Sequence, residues 1–349
     1  MTGMASEDPT PFLHRVGSAG ASVASLQPAH RGLRIAVGIG VPAIILASLG
    51  AAVATQWSKL PSFDWQFKPA WLVISVAAFA VFEFFQAQLW VSMMHALGSP
   101  LQASRGRAIW CMTLLGRYVP TSVMMAVSRM ALAEREGAPM RVSLVSFVYE
   151  MGLTFTAAVT VGVYFLLELP ALQDEPWRFA ALVVPLIGVV ALDPRVFHRI
   201  ADYAFHRLGR EPLPLSLSRA RVLEFLFLYA LTMLIAGFGT YALAHAMHAI
   251  PDSHIATCVA AYSVGFAASL VAFILPGGLG ARETALAAAL APALPFTVAI
   301  AVAVAVRLVQ MAVEVAFAFV TPVLAKRATG RGIRLAVRTE TDGGGGSGQ

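Results

Sequence analysis

Charge is what this sequence has least of. Asp, Glu, Lys and Arg make up 13% of its residues, where a soluble domain carries about a quarter. The shortage excludes a soluble globular enzyme, and no stretch is both long and polar enough to fold as a soluble catalytic domain. Cysteine is nearly absent. Cys111 and Cys258 lie far apart in apolar segments, so neither a disulfide framework nor a metal site is indicated. Strand-like alternation is missing, which excludes a membrane barrel. Catalytic signatures are missing too: no Gly-x-Ser-x-Gly elbow, no His-Glu-x-x-His, no P-loop and no dinucleotide fingerprint. Gly277-Gly278-Leu279-Gly280 is glycine-rich, but no strand precedes it. The expectation is a protein that is not an enzyme, with no catalytic residue, no metal and no cofactor.

Apolar length is what the sequence has instead. It is 58% hydrophobic with a mean hydropathy of +0.72, and several runs reach the roughly 20 residues that span hydrocarbon as a helix. The expected fold class is all-α, a polytopic helical membrane bundle of about six full spans plus two re-entrant helical hairpins. Residues 1–34 read as a disordered cytosolic arm, 35–325 as the transmembrane domain, and 326–349 as a basic, then Gly-rich, disordered cytosolic tail. The full spans are Ile35–Thr55, Trp71–Leu97, Val142–Leu167, the shorter Phe179–Leu192, Val222–Met247 and Phe296–Leu324. Ala52-Val53-Ala54 resembles a signal-peptidase site, but the preceding run is too long and begins too late for a signal peptide. Two segments are interrupted instead of continuous. Ala108–Ser128 is broken at Gly116-Arg117-Tyr118-Val119-Pro120, and Ile255–Leu290 at Pro276-Gly277-Gly278. Proline removes an amide donor and clashes with the preceding turn, and glycine favours non-helical backbone.

The basic residues set the orientation. With both termini inside, 19 of the 25 Lys and Arg fall on the cytosolic side. Lys59, Lys68 and Arg178 fall outside, and Arg117, Arg282 and Arg307 are embedded. That bias is the positive-inside pattern, so the net charge of +6 implies an oriented membrane protein and no nucleic acid. Pro194–Arg221 carries six arginines with Phe197, Ile200, Tyr203, Ala204 and Leu208 near helical spacing. It reads either as an amphipathic helix on an anionic leaflet or as a plain cytosolic loop. In this topology the first hairpin opens inward and the second outward, giving inverted halves at roughly 35–168 and 178–325. Glu150 follows Pro120 by 30 residues and Arg307 follows Pro276 by 31. Interrupted segments at corresponding positions of two halves point to a transporter's central site; chance in an Ala-rich membrane chain is the competing account.

The breaks carry the chemistry. Half-helices beginning after Pro120 and Pro276 present free amides and a positive dipole end. Arg129 and Arg282 add a planar fork suited to phosphate. The candidate substrate-binding residues are Arg117, Arg129, Glu150, Pro276, Gly277, Gly278, Gly280, Arg282, Glu283, Arg307 and Glu314. Glu150, Glu283 and Glu314 balance the arginines, receive a cationic headgroup or carry a coupling proton. The plainer alternative is that Arg282–Glu283 and Arg307–Glu314 are internal ion pairs holding the bundle together. Arg307 and Glu314 are two turns apart, so each should find its partner on another helix. Glu83, mid-span, is read equally as a structural hydrogen bond or as a functional carboxylate.

Leu275-Pro276-Gly277-Gly278-Leu279-Gly280-Ala281-Arg282-Glu283, with Arg307 about 24 residues later, resembles the C-terminal signature of the lysylphosphatidylglycerol synthase transmembrane region, or flippase-like, family. Gly116-Arg117-Tyr118-Val119-Pro120 with Arg129 and Glu150 is similar to its N-terminal half. Two departures stand out. Thr121-Ser122 occupies a place where the subgroup it resembles has Gly-Lys, and Ala126–Ser128 lacks the Gly-acid pair of many members. The resemblance covers roughly residues 35–325. It implies a multi-pass protein of the bacterial cytoplasmic membrane that moves a lipid, or helps to move one, and whose partners are phospholipids or polyprenyl-linked and glycolipids. A second implied role is a non-transporting partner of a glycosyltransferase or lipid-modifying enzyme. Multidomain members carry a soluble aminoacyltransferase domain, and no stretch here matches one. The lipid, the direction, the energy source and the oligomeric state are left open.

Overall fold

The computed structural model describes residues 68–118, 123–168, 176–207, 217–274 and 280–333. All belong to one compact unit, Val53–Gln349. The expected arm, the first span Ile35–Thr55, Pro120, the Pro276-Gly277-Gly278 break and the tail beyond residue 333 lie outside the described residues. Every regular element among the described residues is helical: α1 Pro69–Ala96, α2 Ala103–Leu114, α3 Val123–Arg135, α4 Met140–Glu168, α5 Val183–Leu192, α6 Pro194–Arg207, α7 Arg219–Met247, α8 Ile255–Ile274, α9 Ala281–Leu290 and α10 Phe296–Thr329. Short 3-10 segments at Leu115–Tyr118, Pro176–Leu182 and Asp252–His254 precede α3, α5 and α8.

Among the described residues, five helices are long and apolar enough to cross a membrane: α1, α4, α7, α8 (with its 3-10 lead-in) and α10. Their lipid-facing sides are apolar. Val73, Phe227 and Phe319 are each about two-thirds exposed, which in water would be an aggregation surface. The chain is a multi-pass helical membrane protein. Phe179–Leu192, expected as the shorter span, is a shorter apolar helix with its first part wound as 3-10 after Pro176. And α8, expected as one arm of a hairpin, is itself long enough to cross.

α1 and α7 run antiparallel along each other. The Lys68 amide donates to the Ala246 carbonyl at 2.9 Å, Ser75 Oγ to Gly239 O at 2.8 Å, and Leu89, Ser92 and His95 face Arg221, Phe225 and Leu228 across one cleft. The other contacts come in matched sets. α2 packs on α10 as α8 packs on α4, α2 on α3 as α8 on α9, α3 on α4 as α9 on α10, and α1 on α2 as α7 on α8. α1 also meets α10 as α7 meets α4, and α1 meets α4 as α7 meets α10.

The basic segments meet at one end of the bundle. Arg105 pairs with Glu136 at 2.7 Å and donates to Gly332 O at 2.9 Å, and α10 ends there with Lys326 and Arg327 in its last turn. Cations at a helix C-terminus complement its dipole. The Pro194–Arg207 part of the arginine-rich stretch is helical, with Arg195 and Arg199 exposed and Phe197 stacked 4.0 Å from Tyr149 of α4. Asp193, at its start, accepts from Arg219 at 2.7 Å. That guanidinium holds the Asp193 carboxyl below its ordinary range.

Candidate functional site

Two places where the helices turn back bring charge into the bundle. The first lies between α2 and α3. A Cβ on Gly116 would sit 3.0 Å from Met125 Cα, so the chain folds tightly on itself there. The second precedes α9. Gly280 has φ +92, a left-handed backbone that favours glycine, and it caps α9 with no side-chain bond to the first-turn amides. Those amides are the positive end of a short helix.

Arg129 of α3 is fully enclosed. It pairs with Glu150 of α4, donates from Nε to Thr113 Oγ1 at 3.2 Å, and lies over the rings of Trp90, Trp110 and Phe147 at 5.4, 5.3 and 5.7 Å. Glu150 also accepts from Trp110 Nε1 at 2.6 Å. This is a dehydrated ion pair inside an aromatic box. It fixes α2, α3 and α4 together.

The second half supplies Arg282 of α9, which is 6% exposed. Its Nη2 donates to Gln310 Oε1 of α10 at 2.5 Å, and its guanidinium lies 5.3 Å from the rings of both Tyr262 and Phe266 of α8. Its neighbour Glu283 points elsewhere and pairs with Arg307 of α10 at 3.5 Å, in a partly exposed position. Arg307 and Glu314 therefore find separate partners. Glu314, fully buried, meets Arg117 of the first half at 3.0 Å. This pair ties the Leu115–Tyr118 turn to the middle of α10.

Of the expected residues, Arg117, Arg129, Glu150, Arg282 and Glu314 converge in the interior, while Glu283 and Arg307 form a separate pair. Gly280 stands exposed at the α9 cap. Pro276, Gly277 and Gly278 lie outside the described residues. Two further residues belong to the interior site. Glu83 of α1 is 1% exposed, within electrostatic reach of Glu314, Arg117, Arg129 and Arg282, and its Oε1 receives no hydrogen bond. Gln310 sits between Arg307 and Glu314 at helical spacing, which is the signal that places it on their face. Nothing in the apolar stretch around Glu83 tells which helices surround it.

The site can hold an anion. Permanent guanidinium charge, an uncapped helix start and aromatic faces suit a phosphate with an apolar tail. Among the described residues no group of three or more His, Cys, Asp or Glu is placed to hold a metal, and the two cysteines are buried and unpaired with each other.

Residues 33–318 match the family model described as the lysylphosphatidylglycerol synthase TM region. No curated protein and no solved structure matches the chain.

Proposed function

From a chain that belongs to the lysylphosphatidylglycerol synthase transmembrane-region family, we propose a lipid transporter of flippase type. It moves a phospholipid or a lipid-linked sugar across a bacterial cytoplasmic membrane. The headgroup phosphate binds at the intramembrane arginines beside the broken helices while the acyl chains stay in lipid. The protein changes no covalent bond of its cargo. The observation that carries the reading is Arg282, a permanent charge buried at a helix start and bonded to an uncharged partner, Gln310. A buried cation is costly unless something anionic compensates it.

The packing supports a two-fold relation between halves. Exchanging α1 with α7, α2 with α8, α3 with α9 and α4 with α10 maps the contacts onto themselves. α1 and α7 are antiparallel, so a two-fold that exchanges them lies perpendicular to them, in the membrane plane. That is the symmetry of inverted-repeat transporters, whose site lies at the repeat interface. In this reading α2–α3 and α8–α9 are the two re-entrant hairpins, opening to opposite sides. The ion pairs obey the same exchange with reversed sign: Arg129 of α3 with Glu150 of α4, Glu283 of α9 with Arg307 of α10. The 19-to-3 bias of basic residues and their gathering at one end of the bundle support cytosolic termini.

The test is transbilayer movement of a labelled anionic lipid in proteoliposomes. Arg282→Ala should abolish it while Arg282→Lys retains part of it. Undiminished movement by a well-folded Arg282→Ala protein refutes the role. The family's description is of a synthase's transmembrane region, and that favours one second reading: a non-transporting partner that positions a glycosyltransferase or lipid-modifying enzyme. Stoichiometric capture of such an enzyme, with no lipid movement by the purified protein, would establish it instead.

A further inference from the structure

The interior charges balance, and the way they balance is informative. Among the described residues, buried Arg129 and Arg282 and the partly buried Arg117 stand with three buried glutamates, Glu83, Glu150 and Glu314, in one interior region. Arg129 is matched by Glu150 and Arg117 by Glu314. Among the described residues, what remains is one cation, Arg282, which donates to the uncharged Gln310, and one carboxylate, Glu83, whose Oε1 has no donor. Glu83 and Arg282 act on each other electrostatically without an ion-pair contact. With Glu83 ionised that region is neutral, and an anion arriving at Arg282 gives it an excess negative charge. Glu314 and Glu83 already repel each other there. In a low-dielectric interior such an excess is strongly unfavourable.

We propose that an anion and a proton occupy this site together: Arg282 holds the phosphate of an anionic lipid headgroup, and Glu83 takes up one proton as the lipid arrives. The proton comes from solvent on the side where the lipid is loaded, forms an O–H bond on the Glu83 carboxyl, and returns to solvent on the side where the lipid leaves. The bound state is thereby as neutral as the free one. The inference rests on the transport reading for its purpose, since it makes the proton gradient the energy source, but it is a statement about binding. Each helix around Glu83 contributes charged or titratable groups. They are Cys111 of α2, Arg117 of the following turn, Arg129 of α3, Tyr262 of α8, Arg282 of α9 and Glu314 of α10, with Glu150 of α4 and Tyr229 of α7 behind Arg129. Of these carboxylates, Glu150 and Glu314 face an arginine directly. Glu83 is therefore the group that gains most from a proton.

The experiment is calorimetric titration of the purified full-length protein, in detergent, with short-chain phosphatidylglycerol in buffers of different ionisation heat. The buffer dependence counts the protons taken up. Wild-type protein should take up about one proton per lipid, and its affinity should fall up to about tenfold per pH unit on the alkaline side. Glu83→Gln, a neutral mimic of the protonated acid, should bind with no proton uptake and a flat pH profile. Glu83→Asp should restore the uptake. Failure of the wild type to bind the lipid, binding without proton uptake, or undiminished uptake by Glu83→Gln each overturns the inference. Dimethyl phosphate serves as a second probe, and equal binding of it would overturn the lipid assignment in favour of a soluble phosphodiester. Proton-linked binding by a protein that moves no lipid would refute the transport reading and leave this inference standing.

Discussion

Replacing Glu150 by glutamine should destabilise the bundle far more than replacing Glu150 and Arg129 together. Glu150→Gln keeps the acceptor for the Trp110 indole, which donates at 2.6 Å, and loses both the charge and the oxygen that accepts from Arg129. Arg129 is then an uncompensated cation at 1% exposure. Its remaining partners are Thr113 at 3.2 Å and three aromatic rings at 5.3–5.7 Å. Breaking a buried pair by removing one member costs about 3–5 kcal/mol. Arg129→Met should cost a similar amount, because it strands the Glu150 carboxylate. The double variant strands neither. A methionine fills most of the guanidinium's volume beside the rings, and its expected cost is about 1–2 kcal/mol, the loss of the Thr113 hydrogen bond and of imperfect packing. The assay is the thermal midpoint of purified protein in one detergent at one scan rate, since membrane proteins commonly unfold irreversibly. At about 2–4 °C per kcal/mol, each single variant should melt roughly 6–20 °C lower and the double within about 8 °C of wild type. Additive losses, with the double variant the least stable of the three, would refute the enclosed ion pair.

Two further predictions test the packing and the surface. Gly237→Val should lower the yield of folded protein, because even the first added carbon would sit 2.5 Å from Val259 Cα, and moving that backbone apart costs about 1–3 kcal/mol; size-exclusion profiles after expression read it directly. Asp193, held below its ordinary range by Arg219, contributes stability that is present above its unfolded pKa of about 3.9 and lost as pH falls through the folded value. The thermal midpoint should therefore drop more steeply on acidification below about pH 4 in wild type than in Arg219→Ala, and parallel pH profiles would exclude the contribution.

Hydropathy located most of the helices to within a few residues. Trp71–Leu97 became α1, Val142–Leu167 became α4, Val222–Met247 became α7 and Phe296–Leu324 became α10. This legibility is physical: in lipid a helix satisfies its backbone within its own segment, so the signal is local. The breaks at Pro120 and Pro276-Gly277-Gly278 lie outside the described residues; on either side of the second, α8 ends at Ile274 and α9 begins at Ala281. Phe179–Leu192 returned with its expected bounds as a shorter apolar helix, but its winding was not legible. Its first residues are wound as 3-10 directly after Pro176, and a hydropathy window, which averages side-chain character, carries no information about the winding of a single turn.

Partnership is not local. Arg117 meets Glu314 from the opposite half of the chain, and Arg282 meets Gln310 instead of the adjacent Glu283. The residues themselves marked Arg117, Arg129, Arg282 and Glu314 as charges in apolar surroundings, hence functional or paired. Which of them are neutralised, and that Glu83 and Arg282 are the two left over among the described residues, depended on how α1, α3, α4, α9 and α10 pack. A charge's consequence inside a membrane is set by the groups within a few ångströms of it, and those come from helices that no spacing rule relates.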